Sequence, residues 1–218
     1  MSFQFETFVV GPFPNNLYLL RDDASRQMIV IDPSIQSDAP FARAKELQAE
    51  GYTLQAIWNT HGHLDHVYDN ARWKEFFQLP IFLHQADVFL LEHLREQAIW
   101  LGLPPAENFA PDHFLNAETD LKLGAHAVQV LPLPGHSPGS VAFYFAEHNL
   151  LFSGDVLFQN SVGRTDLPGC DEAALKNSLR TLAALPPQTR VLSGHGAATT
   201  IGIELRTNPF LGFLRNGV

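Results

Sequence analysis

The chain reads as an α/β protein, and three observations carry that reading: apolar runs of strand length, helical stripes between them, and recurrence of this order in both halves. Its 218 residues are 45% apolar, 11% aromatic and 17% charged, which suits a single domain over 1–218 with a sizeable core. Disorder is excluded by the same figures. Phe3, Phe5 and Val9 sit among polar neighbours, and residues 16–21 and 28–32 flank the polar group 22–25, so the chain opens with strands and a hairpin whose Asp22-Asp23 pair reads as a solvated turn. Phe41, Ala44 and Leu47 mark a helix from Asp38 that Gly51 ends. Residues 54–58 form a strand, 67–77 a helix ending before Pro80, and 81–83 another strand. Leu90, Leu91, Leu94, Ala98 and Leu101 make a further helical stripe, followed by a Pro-rich loop over 103–113.

In the second half, residues 128–133, 140–145 and 150–152 are strands, with 147–149 as a turn. Leu175, Leu179 and Leu182 mark a helix, 191–192 a short strand, and 203–214 a closing helix that Pro209 limits or kinks. This order suits two sheets packed face to face with helices outside. Periodicity alone also allows a doubly wound parallel sheet.

The 14 Lys+Arg against 23 Asp+Glu leave a net charge of −9, which argues against nucleic acid as a partner. Cys170 is the only cysteine, so no internal disulfide forms. The first ten residues lack a basic start and an apolar core of the signal-peptide kind, and no apolar run reaches the ~18 residues a spanning helix needs, because Glu92, Arg95 and Glu96 interrupt 86–101. A cytoplasmic protein without a membrane partner is expected.

The ten histidines are the compositional oddity. In Thr60-His61-Gly62-His63-Leu64-Asp65-His66, four candidate metal ligands follow directly on an apolar strand. Imidazole nitrogen and carboxylate oxygen hold zinc, iron or manganese without thiolates. In extended backbone the two-residue spacing puts His61 and His63 on one side, and Asp65 and His66 at a helix start can point back to the same place, so two ions are geometrically possible. Three further donors stand in one local setting, apolar strand, glycine, ligand: Gly135-His136-Ser137, Gly154-Asp155 and Gly194-His195-Gly196. Glycine removes the Cβ that would crowd a metal centre, and the strand fixes the donor. His84, His93, His113, His126 and His148 fit no ligand motif and read as ordinary polar residues.

These motifs, in this order, resemble the metallo-β-lactamase superfamily over almost the whole chain, and Ile31-Asp32-Pro33 is similar to that family's first motif. The resemblance implies an αββα sandwich of two mixed sheets with helices on the outer faces. It implies two divalent ions, zinc first with iron or manganese as alternatives. His61, His63 and His136 would hold one ion and Asp65, His66 and His195 the other. Asp155 would bridge them, Asp65 would also orient the attacking hydroxide, and Asp32 would support the metal loop from behind. Two such ions lower the pKa of a shared water toward ~7, so no protein nucleophile is needed.

An aspartate at 155 looks like the glyoxalase II branch, whereas true β-lactamases are expected to carry cysteine or serine there, and nuclease members carry added domains. The stretches 163–169, 199–202 and 208–210 are similar to compact bacterial glyoxalase II-like hydrolases. The resemblance therefore implies hydrolysis of an acyl thioester such as S-lactoylglutathione, a hydroxyacylglutathione hydrolase-like activity on a small-molecule substrate. Arg164 stands where that family places a basic glutathione contact. Two departures are the absent C-terminal helical domain of full-length glyoxalase II and the Ala197-Ala198 region in place of an expected tyrosine. Phe109, Phe114 and Trp100 either wall an apolar pocket or belong to the core, and aromatic residues more often do the latter. The alternative activity is that of the superfamily's persulfide dioxygenases, with one iron on His61, His136 and Asp155.

Overall fold

Residues 3–215 are described by the computed structural model. Strands β1 (Phe3–Val10), β2 (Asn15–Asp22) and β3 (Gln27–Ile31) form an antiparallel meander. In β2 the alternation sends Leu17 and Leu19 to one face and Tyr18 and Leu20 to the other, and both faces are buried. Burial on both sides is why this run looks uniformly apolar in sequence. Helix α1 (Asp38–Ala49) lays Phe41, Ala44 and Leu47 on that sheet, and Gly51 turns the chain at φ +93°. Strands β4 (Thr53–Trp58), β5 (Ile81–His84) and β6 (His113–Leu115) extend the sheet in parallel, giving the order β1-β2-β3-β4-β5-β6.

The helix expected over 67–77 is two pieces, α2 (Leu64–Val67) and α3 (Asn70–Phe77). The break has a cause: the Asp69 N–H donates to the Pro33 carbonyl at 3.0 Å, and its carboxylate accepts from the Ser37 N–H at 3.0 Å and the Ser37 hydroxyl. These bonds tie the chain at Asp69 to the loop after β3. The stripe over 90–101 likewise divides into α4 (Val88–Leu91) and α5 (Leu94–Trp100).

The second sheet has the order β14-β13-β10-β9-β8-β7, with β7 (Leu121–Leu123), β8 (His126–Pro132), β9 (Val141–Phe145), β10 (Leu150–Gly154), β13 (Arg190–Ser193) and β14 (Thr199–Thr200). Only β10 and β13 pair in parallel. A small hairpin of β11 (Leu157–Phe158) and β12 (Ser161–Val162) stands apart. Helix α6 (Glu172–Ala183) is capped by the Asp171 carboxylate, which accepts from the Ala174 N–H at 2.9 Å, and it turns Leu175, Leu179 and Leu182 onto the sheet. The closing segment is shorter than 203–214 as one helix: α7 (Ile201–Thr207) stops, Pro209 opens a 3-10 turn, and α8 (Gly212–Arg215) follows.

Between the sheets lies one apolar cluster in which Trp58 packs on Phe143 at 5.2 Å and Tyr18 on Phe152 at 4.9 Å. The outer faces are covered by α1 and α3 on one side and α6 and α7 on the other. This is the αββα sandwich of two mixed sheets, and the doubly wound alternative is excluded. Among the described residues no helix is long and apolar enough to cross a membrane. The carboxyl ends of β3, β4, β8, β10 and β13 reach a common edge, and the candidate ligands stand there.

Candidate metal centre

The loop that leaves β4 is pinned before it delivers any donor. Asp32, just past β3, has φ +52°, a left-handed conformation that residues other than glycine seldom adopt. There its Oδ1 accepts the Thr60 N–H at 2.8 Å and its Oδ2 the Thr60 hydroxyl at 2.6 Å. Asp32 Oδ2 also lies 3.0 Å from His66 Nδ1, so that ring N–H donates to it. The Thr60 hydroxyl, its proton given to Asp32, accepts from His61 Nδ1 at 3.1 Å. His136 Nδ1 donates to the Arg164 carbonyl at 3.0 Å, and His195 Nδ1 to the Phe13 carbonyl at 2.7 Å. In these four rings Nδ1 is thereby engaged by the protein and Nε2 is the nitrogen turned toward the cluster. His63 presents its Nδ1 instead, 2.9 Å from His136 Nε2.

All seven side chains nominated from the sequence converge. The donor atoms of His61, His63 and His136 lie within 4.8 Å of one another, and so do those of Asp65, His66 and His195. Asp155 stands between the two sets, 3.6 Å from His136 Nε2 and 3.4 Å from both His66 Nε2 and His195 Nε2. Asp32, His61 and His66 are equally close, but the Asp32 carboxylate is already taken by Thr60 and the far side of His66. His61 Nε2 and Asp155 Oδ1 are buried and have no hydrogen-bond partner. A buried polar atom left so costs about 1–3 kcal/mol, and a divalent cation is a partner that suits imidazole and carboxylate donors together. The residues fit a pair of such ions.

The electrostatics divide the cluster. Burial holds His61 well below the usual imidazole range, and burial with the neighbouring His136 brings His63 down to about 4, so both are neutral donors. Burial also opposes charge on His66 and His195, yet Asp155 and Asp65 outweigh it, holding His66 well above its ordinary value and His195 up to about 10. In return, although burial disfavours their ionisation, Asp155 and Asp65 are held below the usual carboxylate range, His66 being the largest favourable influence on each. Two negative charges are thus fixed among the histidines.

Glycine at 194 is a requirement of close approach: a Cβ there would collide with Asp155 Oδ1 and come within 2.6 Å of His66 Cε1. Two supporting residues escape sequence reasoning. Asn15 Nδ2 donates to Asp65 Oδ2 at 2.9 Å and lies 3.3 Å from His66 Nε2 and 3.4 Å from His195 Nε2. Its only sequence signal is an Asn-Asn pair placed directly before the apolar run Leu17 to Leu20. Asp87 is fully buried and accepts the Gly62 N–H at 2.8 Å, the Gly139 N–H at 2.6 Å and the Ser137 hydroxyl at 2.7 Å. It therefore joins the loop of His61 and His63 to the loop of His136. Burial pushes its carboxyl up, against the pull of those three donors.

A cavity of about 500 Å³ opens over the cluster, with His63, Asp65, His136, Asp155 and His195 at its floor. Phe13, Leu64, Trp100, Leu101 and Leu167 form much of its wall. Trp100 lines this cavity while 86% exposed, so it is not core; Phe109 is partly buried against the apolar clusters that contain Trp73 and Leu94, and Phe114 lies outside the cavity. Arg164 reaches the rim, but its guanidinium makes a bidentate pair with Asp166 at 2.6 and 2.7 Å.

Comparison with known proteins adds three likenesses to a family match. The family described as the Metallo-beta-lactamase superfamily matches residues 10–195. The chain is similar to the hydroxyacylglutathione hydrolase GloC of Haemophilus influenzae, 41% identical over 209 residues that cover 94% of this chain and 97% of that protein. Among solved structures it is similar to TTHA1623 in a di-iron-bound form, with 44% identity and a TM-score of 0.83 over 94% of this chain and 100% of that one. It is also similar to the BLEG-1 B3 metallo-beta-lactamase, with 38% identity and a TM-score of 0.85 over 95% and 99% of the two chains.

Proposed function

This chain belongs to the metallo-β-lactamase superfamily, and from that premise we propose that it hydrolyses acyl thioesters of the hydroxyacylglutathione kind with two divalent cations. The observation that carries the proposal is the double donor set: two trios of ligand atoms with one buried carboxylate, Asp155, between them. A single iron on His61, His136 and Asp155 leaves Asp65, His66 and His195 gathered without purpose. We assign His61, His63 and His136 to one ion, Asp65, His66 and His195 to the other, and Asp155 to both. Bound divalent cations supply Lewis acidity for a substrate carbonyl and bring the pKa of a coordinated water toward ~7.

The remaining work falls to the chain. Asp32, Thr60 and the carbonyls of Phe13 and Arg164 hold the rings of His61, His66, His136 and His195 by Nδ1, so four of the five imidazoles are oriented before substrate arrives. Asp65, held by Asn15 and open to the cavity, orients the attacking water through its carboxylate. Leu64, Leu101, Leu167 and Trp100 take the apolar part of the acyl thioester and shield the reacting carbonyl from bulk water. Arg164 meets a carrier carboxylate at the rim only by exchanging its partner Asp166. The substrate is a small molecule, and neither nucleic acid nor membrane has a place in the reaction.

Support for the thioester comes from the GloC likeness, which spans nearly the full length of both chains. Zinc suits the donors, and the di-iron form of a 44% identical protein supports iron equally. The test is metal content measured beside turnover of S-lactoylglutathione, a set of simpler acyl thioesters, a cephalosporin, and glutathione persulfide with oxygen. The expected result is thioester turnover that rises with loading to two ions per chain. Cephalosporin cleavage without thioester cleavage would move the chain toward its BLEG-1 likeness, and oxygen uptake on persulfide with one iron per chain would replace hydrolysis by oxidation.

A further inference from the structure

A second gathering of metal-type donors lies at the other end of the sandwich. His126 opens β8, and His148 closes the 3-10 turn Ala146–His148 that leads into β10. His136 and Asp155 follow the opposite ends of these same strands, so the two places are separated by roughly 20 Å of extended chain. His126 Nδ1 and His148 Nε2 are 3.0 Å apart, with Glu147 Oε2 at 3.8 Å from His126 Nδ1. One ligand atom from each residue falls within 4.8 Å of the others.

The setting fixes these donors. Phe3 stacks on His148 at 4.5 Å with 16° between the planes, and it meets the edge of His126 at 5.5 Å. His126 is buried, and its Nε2 has no hydrogen-bond partner. The nearest acidic atom to it is Asp22 Oδ1 at 3.7 Å. Asp22, which the sequence places in a solvated turn, is buried, and its carboxylate accepts the N–H groups of Ala24 and Ser25. A proton on His126 Nε2 therefore faces a fixed negative charge, and that tautomer leaves the Nδ1 lone pair turned toward His148 and Glu147. At 3.7 Å Asp22 acts on that nitrogen as a charge and not as a hydrogen-bond acceptor, and the tautomer it favours is the one that frees the other nitrogen for a metal.

We propose that His126, Glu147 and His148 form a peripheral site for a divalent transition cation of the zinc class, separate from the paired centre. Two imidazoles and one carboxylate supply three protein ligands, with the remaining positions left to solvent, a donor set that takes zinc, nickel or copper in preference to calcium or magnesium. A bound ion would clamp the β9–β10 turn to the start of β8 beneath the Phe3 ring.

Zinc itself is the probe. Holoprotein with a filled paired centre is dialysed to equilibrium against micromolar Zn²⁺, and the metal is counted in wild type, His148→Ala and Glu147→Gln. Wild type should carry one equivalent more than His148→Ala, Glu147→Gln should hold that equivalent more weakly, and turnover at the paired centre should be the same in all three. His148→Gln, which keeps a polar side chain against Phe3, replaces the alanine variant should that one unfold. Equal zinc content in wild type and the His148 variants overturns the site and leaves a proton shared between two rings. An extra equivalent that survives in the His148 variants overturns it as well.

Discussion

His61 shows how much one side chain settles. It is fully buried, has a bare Nε2, and directly follows Thr60, which Asp32 pins. His61→Ala should remove metal-dependent turnover by more than the ~10–100-fold that loss of an outer partner costs. Asp32→Asn should fall within that smaller range, since it keeps the shape but weakens the hold on Thr60 and His66. His148→Ala should leave turnover nearly unchanged. Steady-state rates with parallel metal analysis check all three. Asp87 is a second case: Asp87→Ala strands the Gly62 and Gly139 N–H groups and the Ser137 hydroxyl, and should cost about 2–4 kcal/mol in urea unfolding. The candidate ligands were legible because their chemistry is written locally, as histidines and aspartates after strands and beside glycines. Asn15 and Asp87 were not, because each is one polar residue whose partners lie 50 or more positions away in several cases, as with Asp65 from Asn15 and Ser137 from Asp87.

At the scale of elements, strong periodicity was readable and short strands were not. Helix α6 shows Leu175, Leu179 and Leu182 at helical spacing and is found where expected. By contrast β6 and β7 have three residues each, too few to display alternation, and β6 exists because β5 offers it an edge. The division between α2 and α3 also lay outside sequence reach, since its cause is a contact with the loop after β3. Trp73 of α3 tests how far an element matters to the site. Its ring is fully buried against Phe41 and Phe77, and its Nε1–H donates to the Ser37 hydroxyl at 2.8 Å. Trp73→Ala should lower unfolding free energy by about 3–5 kcal/mol. Rate per folded, metal-loaded molecule should hold, measured at a temperature where the variant is still native.

For the whole molecule, apolar periodicity left two architectures open, because strands covered on both sides look alike in a sandwich and in a doubly wound sheet. The ligand motifs decided between them through resemblance, and the two six-stranded sheets bear that out. The donors come from both sheets: His61 to His66 follow β4 in one, while His136, Asp155 and His195 follow β8, β10 and β13 in the other. Chelation should therefore lower the thermal midpoint of the entire domain, and re-addition of Zn²⁺ should restore it. An ion present at about 100 times its dissociation constant contributes about 2.7 kcal/mol. A midpoint indifferent to chelator would separate the ions from the fold. Floor and wall of the cavity have different origins, for Trp100, Leu101 and Leu167 carry no donor and stand on segments between the ligand loops. Trp100→Ala should accordingly raise KM for apolar acyl thioesters while metal content stays at the wild-type value. What the cavity admits can thus be altered at Trp100, Leu101 and Leu167 without touching a single gathered nitrogen or carboxylate beneath them.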